Sequence, residues 1–174
     1  MATTVIRPDE IGNSTGFDAS GATLLGLIND EDNGTGTTQS NVSADITEIS
    51  FENTGYSGTI NSVVVSIVAS TSARSAQTAL NIKLVDSGGT TLNTDSHVIS
   101  SGDGTIQKDG SSYTTSLTPS VVDGLTVDVE PDTSGCVLYE VFITVDFTAA
   151  AVTSGGKITL SSGKITLTSG KITL

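Results

Sequence analysis

The 174-residue chain carries one histidine, His97, and one cysteine, Cys136. Acid–base or nucleophilic catalysis needs positioned groups with tuned pKa values. No His-x-x-x-His, Cys-x-x-Cys, Gly-x-Ser-x-Gly or glycine-rich phosphate loop occurs. Ser and Asp are so abundant that a Ser-His-Asp set could be assembled almost anywhere, so none is specified. His97 precedes Val98-Ile99 and reads as the end of a strand. Cys136 precedes an apolar run and reads as a small buried hydrophobe. A single cysteine also excludes an intrachain disulfide framework. The chemistry points to a non-enzymatic protein with no cofactor.

Binding chemistry has better candidates. Asp30, Glu31, Asp32 and Asn33 are consecutive oxygen-bearing side chains, followed by Gly34 and Gly36. Such a loop could wrap a hard cation, and Ca2+ is the one it would take. It does not follow the twelve-residue helix–loop–helix calcium pattern. Asp128, Glu130 and Asp132 form a second, weaker acidic cluster. Glycan binding usually wants exposed aromatic rings. Trp is absent, and Phe17, Phe51, Tyr139, Phe142 and Phe147 read as core. Tyr56 and Tyr113 remain as candidate platforms.

The charge is unevenly spread. Nineteen acids face seven basic residues, a net of -12. Residues 1–150 hold every acid and only Arg7, Arg74, Lys83 and Lys108, whereas residues 151–174 hold Lys157, Lys164 and Lys171 and no acid. Phosphate binding requires concentrated positive charge, so nucleic acid is not an expected partner. No run reaches membrane-spanning length, and residues 1–10 lack the basic-then-apolar order of a secretory signal. The expectation is synthesis in the cytoplasm without a signal peptide, and no membrane partner.

The elements that must position these residues are mostly strands. Residues 2–6, 44–51, 59–69, 78–85, 90–99, 112–117, 125–130 and 137–148 carry strand patterning, and Gly- or Asp-rich turns separate many of them. In 44–51 neither face is cleanly apolar. In 137–148, alternation places Val137, Tyr139, Val141, Ile143, Val145 and Phe147 on one face. Residues 21–30 are the one helical candidate, a turn or two. Crossover helices for an α/β fold are missing, and each sheet must bury one face. The expected fold is therefore all-β, an antiparallel, jelly-roll-like β-sandwich over residues 1–150.

Residues 151–174 form a distinct tail. Positions 154–174 hold three near-identical seven-residue units, each ending Lys-Ile-Thr-Leu. Gly in every unit and the Ile-Thr pair argue against a coiled coil. Seven is odd and the strand period is two, so one unbroken strand would flip the apolar face at each unit. Three short strands turned at each Ser-Gly keep it constant, as a meander or a prism wall. Such strands are too short to stand alone. Lys157, Ile158, Leu160, Lys164, Ile165, Leu167, Lys171, Ile172 and Leu174 are thus expected to serve assembly with copies of the same chain, as a homo-trimer or larger.

The opening also carries a resemblance. Thr3-Thr-Val-Ile-Arg7-Pro8, Asn13-Ser-Thr-Gly16-Phe17, Ala22-Thr-Leu-Leu25 and Ile28-Asn-Asp30-Glu31-Asp32 resemble the start of small accessory β-sandwich proteins of tailed-phage virions. The likeness is one of style over residues 3–150. Thr37-Thr38-Gln39 stands where a typical member has Trp or Tyr after the acidic loop. The resemblance implies a virion structural protein for capsid decoration (cement) or assembly, located in the virion and partnered by major capsid or tail proteins. The alternative is a receptor- or carbohydrate-binding module of a tail fibre, with calcium dependence through the acidic loop.

Overall fold

The computed structural model describes residues 2–15, 17–18, 24–29, 37–39, 45–53, 55, 57–71, 77–132, 135–150, 159–161 and 164–166. The architecture is an antiparallel, jelly-roll-like β-sandwich. One sheet runs β3 (Phe17–Asp18), β4 (Thr37–Gln39), β11 (Cys136–Ala149), β6 (Gly58–Thr71) and β9 (Ile106–Asp109), and β1 (Ala2–Ile6) pairs with β11. The other runs β2 (Pro8–Thr15), β5 (Asp45–Phe51), β10 (Thr126–Pro131), β7 (Gln77–Val85) and β8 (Thr91–Ser100). Two short helices, α1 (Leu24–Ile28) and α2 (Pro119–Val122), accompany them. Beyond the sandwich, β12 (Thr159–Ser161) pairs with β13 (Lys164–Thr166).

The core lies between the sheets. Ile60, Val63, Val65, Ile67 and Ala69 of β6 meet Leu80, Ile82 and Leu84 of β7 and Val127 and Val129 of β10 in one buried cluster. Removing each such side chain from water stabilises the fold by about 1.5–3 kcal/mol.

Simple alternation fails at several bulges, and three of them correct or complete the face pattern. In β5, Val127 pairs with Ile49 and Val129 with Ile46, so Thr47 and Glu48 together oppose Asp128. Glu48 takes φ 56°, and its N–H donates to Asp128 Oδ1 at 2.9 Å. That extra residue puts Ile46 and Ile49, three apart, on the same buried face. In β11, Leu138 pairs with Ala69 and Glu140 with Val68, leaving Tyr139 as the extra residue. Cys136 and Leu138 therefore face the core ahead of the bulge, while Val141, Ile143 and Val145 do so after it. Val137 and Tyr139 do not share the face of Val141 as strict alternation predicts. Asn61 plays the same part in β6, between Ile60 and Ser62.

Two further expectations need correction. Residues 112–117 are not a strand. The edge strand here is β9, and Tyr113 contributes only an isolated bridge to Val63. His97 does not end a strand either. It lies inside β8, opposite buried Leu80.

Candidate functional site

Tyr113 sits on the segment between β9 and α2, and several contacts fix that segment. Tyr113 and Val63 exchange two backbone hydrogen bonds of 2.9 Å each. Gly110 N–H donates to the Val65 carbonyl at 2.8 Å. Asp95, facing inward from β8, accepts the Ser111 N–H at 3.0 Å on Oδ2 and the Ser111 hydroxyl at 2.6 Å on Oδ1. Asn93 donates to the same Asp95 Oδ2 at 2.9 Å. A Cβ at position 110 would lie 2.5 Å from Asp95 Oδ2, so any larger residue would require Asp95 to shift.

The far end of the segment is held by α2. Thr118 is its N-cap, with Oγ1 accepting the Val121 N–H at 3.2 Å, and Pro119 opens the helix. Between these anchors Ser116 takes φ 54°. A positive φ in a non-glycine residue costs energy that the surrounding structure must supply.

The opposite wall is the β7–β8 turn. Asp86 Oδ1 accepts the N–H groups of Gly88 at 2.9 Å and Thr90 at 2.8 Å. The Gly89 N–H closes on the Asp86 carbonyl at 2.9 Å, and Gly89 has φ 82°. A Cβ at Gly124 would lie 3.1 Å from the Ser87 Cβ, so the bare backbone after α2 leaves room for the turn.

Together these elements enclose a cleft of about 360 Å³ lined by Asp86, Ser87, Leu92, Tyr113, Thr115, Ser116, Ser120 and Val121. Tyr113, Leu92 and Val121 are half-buried. They present an aromatic ring and two aliphatic surfaces among four hydroxyls and one carboxylate. A second cleft of about 370 Å³ adjoins it across Asp86 and Ser87, and Glu48 and Asp128 line it from β5 and β10. The two non-glycine residues of positive φ among those described, Ser116 and Glu48, thus each line one of these clefts.

The other sequence candidates fall elsewhere. Tyr56 lies outside the described residues, as do Asp30, Glu31, Asp32 and Asn33. Lys157, Ile158, Leu167, Lys171, Ile172 and Leu174 also lie outside them. For Leu160, Lys164 and Ile165 the strand placement is described. The acids of β10 and of the residue just after it are each engaged locally: Asp128 by the Glu48 N–H, Glu130 by Lys83 Nζ at 2.6 Å and Asp132 by Asn81 Nδ2 at 2.6 Å. Among the described residues no group of three or more His, Cys, Asp or Glu side chains could hold a metal ion. Cys136 is buried, and desolvation pushes its thiol up to about 12. Its thiolate, the nucleophilic form, is therefore suppressed near neutrality. Sequence reasoning missed Asp86, Ser87, Ser116 and Ser120. The Asp-Ser-Gly-Gly turn and the Thr118-Pro119 helix start were visible signals, but nothing local says that they face each other.

No protein-family model matches the chain, and no curated protein matches it significantly. Solved structures do share the fold in part. The C-terminal CBM6 of LamC, a marine laminarinase from Zobellia galactanivorans, aligns over 83% of this chain and 98% of its own, with 9% identity and a TM-score of 0.48. The carbohydrate-binding module CBM6cm-2 of Cellvibrio mixtus lichenase 5A, solved with cellotriose, aligns over 83% and 97%, with 8% identity and a TM-score of 0.46. The CBM22-1 xylan-binding domain of Paenibacillus barcinonensis Xyn10C aligns over 84% and 95%, with 13% identity and a TM-score of 0.46. These three are carbohydrate-binding modules or domains. They are not accessory proteins of tailed-phage virions, and that resemblance is corrected here. The roles that rested on it fall with it: capsid decoration, a tail-fibre setting and a place in the virion. The physical reason is that a strand, a Gly-aromatic loop, a Leu-rich turn and an acidic loop are generic parts of a sandwich and belong to no single family.

Proposed function

We propose that this chain is a non-catalytic carbohydrate-binding module that holds its glycan in the Tyr113 cleft. A sugar ring has apolar C–H faces and a rim of hydroxyls. It needs an aromatic or aliphatic platform beside hydrogen-bonding groups that can both donate and accept. The observation that carries the reading is that juxtaposition. Tyr113, Leu92 and Val121 supply the apolar surfaces, while Ser87, Thr115, Ser116, Ser120 and Asp86 supply the polar ones, within one cleft of about 360 Å³. The anchors at Val63, Asp95 and Thr118 support preorganisation, which lowers the ordering cost of binding.

Among the described residues, the cleft lining contains no Lys or Arg and one carboxylate. This favours neutral sugars over uronic or sulfated ones. The test is calorimetric titration of the full chain with neutral and anionic oligosaccharides. Neutral ligands are expected to bind, and Tyr113→Ala is expected to weaken them at least about tenfold, or about 1.4 kcal/mol. Binding unchanged in Tyr113→Ala would place the glycan elsewhere. No binding to any oligosaccharide would end the proposal.

A further inference from the structure

The seven-residue units of the tail pair with each other. In the β12–β13 sheet, Thr159 pairs with Thr166, Leu160 with Ile165 and Ser161 with Lys164. Two residues, Ser162 and Gly163, separate the innermost pair. Leu160 and Ile165 are thus the central cross-strand partners of the pair.

This small sheet is incomplete by itself. Two short strands are marginal in water. Among the described residues, the buried cluster of the sandwich runs from Ile6 to Val145. The unit is also self-complementary: the partner of one Lys-Ile-Thr-Leu strand is a second copy of the same sequence. A further copy, Lys171–Leu174, follows in the chain.

We propose that the tail is a self-association element, in which a repeat strand of one copy of the chain adds to an open edge of the β12–β13 pair of another. The register is the one that β12 and β13 already use. A second copy is the occupant that fits, since every chain supplies the strand that this pairing accepts. Charge adds to it. The tail carries three lysines and no acid, while residues 1–150 carry a net of -15. The basic tail of one copy is therefore drawn toward the acidic body of the next. The lysine in each unit restrains open-ended sheet growth.

Light scattering on the full chain at several concentrations tests this, alongside a Leu160→Asp, Ile165→Asp double variant. The wild type is expected at a defined multiple of 17.6 kDa, and the variant at the mass of one copy with an unchanged circular dichroism spectrum. A wild type that stays at one copy overturns the proposal. So does a variant that associates as the wild type does. A second measurement avoids any folding defect of the variant: excess synthetic peptide of two repeat units is expected to dissociate the wild-type assembly. Failure of the peptide to shift the mass also counts against the strand-addition contact.

Discussion

His97 sits where burial and charge act in opposite directions. Desolvation lowers its pKa below the usual 6.5, Asp95 and Asp109 oppose this, and Lys108 reinforces it. Its Nε2 is buried and meets no hydrogen-bond partner among the described residues. The folded protein thus holds the neutral ring, whereas the unfolded chain takes up a proton as pH falls through 6.5. Stability from this group is complete above that value and is lost as pH drops toward the lower folded value. Urea midpoints measured between about pH 7.5 and pH 5.5 should therefore fall for the wild type and fall less for His97→Gln. Equal slopes would remove the role of the imidazole. Nearby in kind is Arg7, whose guanidinium reaches Glu140 at 2.6 Å and lies 5.3 Å from the Phe142 ring centre. Glu140 is buried on the face of β11 that turns away from the core, and Arg7 is what allows a carboxylate there.

Strands and turns explain how much of the architecture could be read in advance. β6 and β11 are legible because apolar residues, Val and Ile above all, crowd them, and β7 because Leu80, Ile82 and Leu84 alternate with Asn81 and Lys83. β2, with Asp9, Glu10, Gly12, Asn13 and Ser14, has no apolar alternation to betray it, and only its pairing with β5 makes it a strand. The bulges are equally silent, because a single extra residue is defined by the partner strand. The segment from Gly110 to Thr118 shows what such contacts are worth. Gly110→Ala would push a methyl group toward Asp95 Oδ2 and the Val65 carbonyl. It is expected to cost about 1–3 kcal/mol in denaturant unfolding. It should also weaken glycan binding, since Tyr113 follows on the same segment. A variant with wild-type stability and affinity would show that Asp95 gives way freely.

The two sheets share one buried cluster, so they should unfold together. Ile67 is fully buried near the middle of β6. Ile67→Ala is expected to destabilise by about 2–5 kcal/mol while keeping a single transition by calorimetry. Two resolved transitions would mean that the sheets are separate cooperative units.

What the residues determined alone is the class of fold and the shortage of catalytic chemistry. Period-two patterning, frequent turns and missing helices leave a sandwich as the way to bury each sheet, and one His and one Cys leave little to catalyse with. The repeat could likewise be read as paired strands from its parity. The tertiary structure alone decided the cleft. Asp86 and Ser87 come from a hairpin turn, whereas Tyr113, Ser116 and Ser120 come from a bridging segment and the short helix it leads into, beyond two further strands. Hydrogen bonding to Val63 and Asp95, together with close packing at Gly124, brings them together, and no local pattern records contacts of that range.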